Sequence, residues 1–75
     1  MFMYAIIFHD RAEAITTTET EARVWVVKFL DKYGYVLDRM SRFSNDSPII
    51  VRAHAKEIQE ITIELRICKT EVVTP

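Results

Sequence analysis

Two histidines, one cysteine and a scatter of carboxylates are what this 75-residue sequence offers for acid–base, metal or thiol chemistry. His9 and Asp10 adjoin, as an acid–base pair requires, and His54 with Asp10 or Glu57 supplies the residue types of a metal site. The spacing argues otherwise. No CxxC, HxxxH or HExxH pattern is present, so the sequence predicts neither a metal site nor a cofactor. Cys68 stands in a strand-like segment opposite the isoleucines, where a free cysteine serves as a small hydrophobe. Phosphate-cradling loops need several glycines for close backbone approach, and the single glycine, Gly34, falls at the end of a helical pattern. Thr16-Thr17-Thr18 is explained by strand propensity followed by a helix cap. The expectation is a protein that is not an enzyme.

Charge is more informative than the titratable groups. Ten Lys and Arg against eleven Asp and Glu give a net charge of -1, so bulk attraction to nucleic acid or to anionic lipid is not implied. The charge is unevenly spread. Residues 35–56 carry Arg39, Arg42, Arg52 and Lys56 against Asp38 and Asp46, a small basic island with Tyr35 and Phe43 near its ends. Arginine interleaved with aromatics is the composition of a protein-binding hot spot and also of a single-strand or RNA-binding sheet, while charges on an edge hairpin can also serve simply to prevent sheet-to-sheet aggregation. Tyr35, Arg39, Arg42, Phe43, Arg52 and Lys56 are therefore the candidate partner-binding residues.

These residues are positioned by elements that the periodicity makes readable. Phe2 to His9 is apolar at nearly every position, as in a central strand covered on two sides. Asp10-Arg11 reads as a turn, and Ala14 to Thr18 as a short strand pairing back, although no Gly or Asn fixes that hairpin. Thr18-Glu19-Thr20-Glu21 has the form of a capping box, with the Thr18 hydroxyl and the Glu21 carboxylate satisfying reciprocal backbone donors. Ala22, Trp25, Val26, Phe29, Leu30 and Tyr33 follow at helical spacing, Trp25 taken as core, with Gly34 at the C-cap. Tyr35 to Phe43 reads as a strand, Ser44 to Pro48 as a turn and Ile49 to Ala53 as the return strand. Residues 55–59 are ambiguous between a loop and one helical turn. Ile61, Ile63, Leu65 and Ile67 then alternate with Thr62, Glu64, Arg66 and Cys68, a half-buried strand.

The order β(β)αβββ predicts an α+β fold, an antiparallel sheet of four to five strands with one helix on one face. The composition, 49% hydrophobic, 28% charged and with only one Gly and two Pro, fits one small globular domain over residues 1–75 and excludes a disordered or disulfide-stapled chain. One cysteine points to a reducing, cytoplasmic setting, and no stretch reaches the roughly 20 apolar residues of a membrane-spanning helix. Met1 to Phe8 lacks the basic leader and small-residue cleavage site of a signal peptide.

One helix cannot cover both faces of such a sheet, so the uncovered face becomes an interface, and a homodimer is expected. The functional expectation is a small interaction module that binds and modulates or inhibits a larger protein complex. At the level of class only, chains of this size and composition resemble small accessory proteins of phages and mobile elements that act against host defence. The alternative is a nucleic-acid-binding dimer using the basic hairpin of residues 35–56. A third reading, a ligand site around His9 and Asp10, has no recognisable pocket in the sequence.

Overall fold

A computed structural model describes residues 2–41 and 48–71. The helix begins where the sequence places it. Thr18 is extended (φ -132°, ψ 154°) and its hydroxyl accepts the Glu21 N–H at 3.1 Å, while Glu19 and Glu21 sit at the positive end of the helix dipole. Only half of the predicted box forms. The Glu21 carboxylate accepts from the Thr17 hydroxyl at 3.5 Å rather than from the Thr18 backbone. Helix α1 runs Glu19–Lys32 and ends on Tyr33, with Gly34 beyond it at φ 78°. A Cβ on Gly34 would meet nothing within 4 Å, so the glycine is required by the left-handed backbone alone.

Five strands surround the helix in sequence: β1 (Phe2–Phe8), β2 (Arg11–Thr16), β3 (Tyr35–Met40), β4 (Ile49–Ala55) and β5 (Thr62–Glu71). They form one antiparallel sheet in the order β2-β1-β5-β4-β3, the α+β arrangement expected from the sequence. The alternating segment becomes β5 and lies at the centre, paired with β1 on one side and β4 on the other. Residues 56–61 form the β4–β5 connection, closed by the Ile61 N–H to the Ile58 carbonyl and the Ala55 N–H to the Ile61 carbonyl. Strand β4 is two residues longer than predicted. The turn expected at Ser44 to Pro48 lies, up to Ser47, outside the described residues.

The β1–β2 hairpin differs from its predicted form. The second strand begins at Arg11, not Ala14, because the turn is only two residues long and both take left-handed backbone, His9 at φ 51° and Asp10 at φ 60°. This is the geometry that matches the twist of a hairpin and that Asn-Gly would ordinarily supply. His and Asp are among the few side chains that tolerate it, so the turn forms without the residues that advertise one.

The core lies between the helix and one sheet face. Ala22, Val26 and Leu30 of α1 are buried against Ile6 of β1, Ile49, Val51 and Ala53 of β4, and Leu65 and Ile67 of β5. No polar or charged residue is buried among the described residues. Trp25 proves half-buried rather than fully in the core. It stacks on Phe29 at 5.2 Å, and Phe29 meets Phe8 edge-on at 5.5 Å, so the aromatics wall one flank of the helix. Tyr33, last in the predicted stripe, is 58% exposed, since the helix has already passed the core there.

Two backbone predictions follow from the positive φ angles. Replacing Asp10 with Gly removes left-handed strain and is expected to stabilise the fold by about 1 kcal/mol, raising Tm by about 4–8 °C. Gly34→Ala meets no steric obstacle yet is expected to cost about 1 kcal/mol through backbone strain alone. Thermal unfolding followed by circular dichroism measures both.

Candidate functional site: the helix-free face of the sheet

Side chains alternate across each strand, and the core contacts identify which face the helix covers. Tyr4, Ile6 and Phe8 point to the helix, leaving Met3, Ala5 and Ile7 of β1 on the other side. Ile63, Leu65 and Ile67 do the same in β5, leaving Glu64, Arg66 and Cys68. Ile49, Val51 and Ala53 of β4 leave Ile50, Arg52 and His54.

The register sorts this uncovered face into two halves. Ala5 pairs with Ile15 of β2 on one side and with Cys68 on the other, and Ile7 pairs with Ala12 and Arg66. Together with Met3 these form an apolar half, in which Ile15 is 58% exposed. Arg66 pairs with Ile50 of β4, Arg52 with Glu64, and His54 with Thr62. The far half is charged. Arg66 forms an ion pair with Glu64 at 3.9 Å, and His54 Nδ1 lies within hydrogen-bond distance of the Asp38 carboxylate at 2.5 Å.

Bulges in both outer strands shape the face. The β1–β2 register slips between Ile6/Ala14 and Ile7/Ala12, so Glu13 is the extra residue of β2. The β3–β4 register slips between Leu37/Ala53 and Arg39/Arg52, so Asp38 is the extra residue of β3. Each exposed edge therefore carries a bulge at an acidic side chain, a device that discourages edge-to-edge pairing. The slip at Asp38 also turns Arg39 onto the uncovered face, directly opposite Arg52.

The predicted binding residues consequently fall into separate places. Arg39 and Arg52 are cross-strand neighbours on the uncovered face. Tyr35 is half-buried against the core on the opposite face, because the bulge changes the facing of β3 between it and Arg39. Lys56 follows β4 and is exposed, its ammonium 4.0 Å from Asp31. Tyr35 and Lys56 line a cleft of about 360 Å³ with Tyr33, Gly34, Ile58 and Ile61 at the end of the molecule, away from the arginines. Arg42 and Phe43 lie outside the described residues.

His9 and Asp10 do border a shallow depression of about 360 Å³, shared with Ile7, Glu64, Arg66 and Cys68. Among the described residues, no group of three or more His, Cys, Asp or Glu side chains is placed to hold a metal ion. The sequence reading overlooked the Asp38–His54 contact, which arises from pairing across 16 residues of hairpin. It also left Arg66 out of the site, although the alternation from Thr62 to Cys68 already set that side chain opposite the isoleucines. No protein-family model, curated protein or solved structure matches this chain.

Like charges directly opposite across a strand pair destabilise a sheet, so Arg39→Thr, on the outer strand where Arg52 is its ladder partner, is expected to stabilise the fold by about 0.2–1 kcal/mol. The gain should shrink in 1 M salt, where an exposed repulsion is screened. Urea unfolding midpoints of both proteins at low and high salt test this.

Proposed function

We propose that this protein is a non-enzymatic interaction module that docks on a larger protein through the helix-free face of its sheet and so modulates or inhibits it. The observation carrying this reading is the composition of that face. Exposed and half-buried aliphatic side chains (Met3, Ala5, Ile7, Ile15, Ile50) adjoin a row of arginines (Arg39, Arg52, Arg66) on one rigid sheet. An apolar patch bordered by arginine is the usual make-up of a protein-binding surface.

A nucleic-acid-binding sheet would look different in two respects. It would carry aromatic rings on which bases stack, and among the described residues this face presents no Phe, Tyr or Trp. It would also neutralise a run of phosphates. Here the three arginines are interspersed with Asp38 and Glu64, which leaves little net positive charge. Self-association is favoured through the same face rather than through the edges, since both outer strands are bulged. A two-fold homodimer covering the apolar half is the form it would take in the absence of the partner.

Affinity purification of the tagged protein from its native host, split into nuclease-treated and untreated halves, tests the reading. A stoichiometric protein should survive nuclease. Ile15→Lys, at an exposed position where the fold should change by less than about 0.5 kcal/mol, should abolish its retention. Sedimentation of the same variant should show loss of any dimer. Recovery of nucleic acid alone, and only without nuclease, would overturn the proposal.

A further inference from the structure

Arg39 and Arg52 are held in an arrangement that folding alone does not favour. They are direct partners in the β3–β4 ladder, both exposed, with like charges opposed across the strands. Among the described residues, the neighbouring carboxylates have other partners. Asp38, immediately before Arg39, bonds His54, and Glu64, opposite Arg52 on β5, turns to Arg66. Among the described residues neither guanidinium has a carboxylate within 4.0 Å, whereas Arg23, Lys56 and Arg66 each have one.

The space between the two arginines is a depression of about 260 Å³ lined by Arg39, Ser41, Ile50 and Arg52. The Ser41 hydroxyl accepts the Ile50 N–H at 2.8 Å and keeps its own O–H to donate. Two arginines and one serine line it, and none of its lining residues carries a carboxylate. Guanidinium groups bind carboxylates and phosphates through paired, charge-assisted hydrogen bonds, so the ligand of such a depression is an oxyanion.

We propose that the Arg39–Arg52 pair is a carboxylate clamp, which grips Asp or Glu side chains of an acidic segment on the partner protein. The proposal rests on the interaction-module reading and adds the chemistry of the partner. Protein carboxylates fit better than a phosphate backbone for a local reason. Asp38 and Glu64 line an adjoining depression with both arginines, so a continuous chain of phosphates would have to run over carboxylates, whereas a single acid can be gripped at Arg39, Arg52 and Ser41 alone. Ile50, beside the clamp, continues into the apolar half through Arg66 and Ile7, so apolar residues adjoining those acids would also find a surface.

A labelled peptide of sequence Leu-Asp-Glu-Leu-Asp-Glu-Leu, its Asn/Gln counterpart and a single-stranded oligothymidylate provide the test by fluorescence anisotropy at low salt. The acidic peptide is expected to bind about tenfold more tightly than the amide peptide, a preference abolished in the double variant Arg39→Gln/Arg52→Gln. Lys28→Gln, at an exposed position of α1 on the other side of the sheet, should leave the preference within about twofold. Circular dichroism melting of the double variant should be unchanged or raised, so lost binding cannot be misread as unfolding. A preference that survives the double variant, or tighter binding of oligothymidylate than of the acidic peptide, would overturn the clamp.

The two readings fail separately. A captured host protein whose retention ignores the double variant overturns the clamp and leaves the module reading standing. Peptide discrimination without any nuclease-resistant host protein supports carboxylate recognition while removing the module reading.

Discussion

The packing of one helix against one face of a five-stranded sheet governs the rest of this structure. A helix of 14 residues is about 21 Å long and about 10 Å wide with its side chains, whereas five strands at about 4.8 Å spacing present a broad surface on each side. The helix can therefore close a single core. It does so with three side chains on one stripe, Ala22, Val26 and Leu30, seated over the central strands. Since nothing polar is buried among the described residues, the stability of the fold comes from apolar packing on that side. The other face is left without a role in the core, and its composition is set by other demands.

Those demands are visible in how the sheet ends. A five-stranded sheet with free outer strands is prone to grow by adding a sixth, and both outer strands here carry an extra acidic residue that breaks the ladder. Glu13 does this in β2 and Asp38 in β3. The second bulge has a further effect, because an odd insertion reverses which side chains face the core. Tyr35 and Leu37 lie on the helix side of β3, Met40 returns to it, and Arg39 is turned to the uncovered face between them. Protection of the edge and assembly of the arginine pair are thus consequences of one inserted residue.

The same insertion explains where sequence reasoning succeeded and where it did not. The helix was legible from end to end, because its start, stripe and stop each depend on residue types at fixed spacing: Thr18, the Ala22–Leu30 series and Gly34. Strand β5 was legible because strict alternation from Thr62 to Cys68 has only one extended reading. The His9–Asp10 turn was not, since its left-handed backbone is adopted by two residues that merely tolerate it. A bulge leaves no mark on composition at all. In a regular strand Tyr35 and Arg39 would share a face, whereas the slip at Asp38 separates them, one to the core and the other to the arginine pair. The proximity of Asp38 to His54 depended on the same unseen register.

A surface that contributes nothing to the core can carry features that oppose folding, and this one does. Arg39 faces Arg52 although two carboxylates lie close by, Asp38 against the His54 ring and Glu64 beside Arg66. Had either acid turned toward the arginines, the repulsion would be relieved and the depression filled. Instead, among the described residues, neither Arg39 nor Arg52 has a carboxylate within 4.0 Å, and the pair lies next to an apolar half where Ile15 and Ile7 meet solvent. Apolar contact without charge would bind many surfaces, and charge without apolar contact would be screened by salt. On the proposed reading, with the two side by side on one sheet, the first would supply affinity and the second would select which partner receives it.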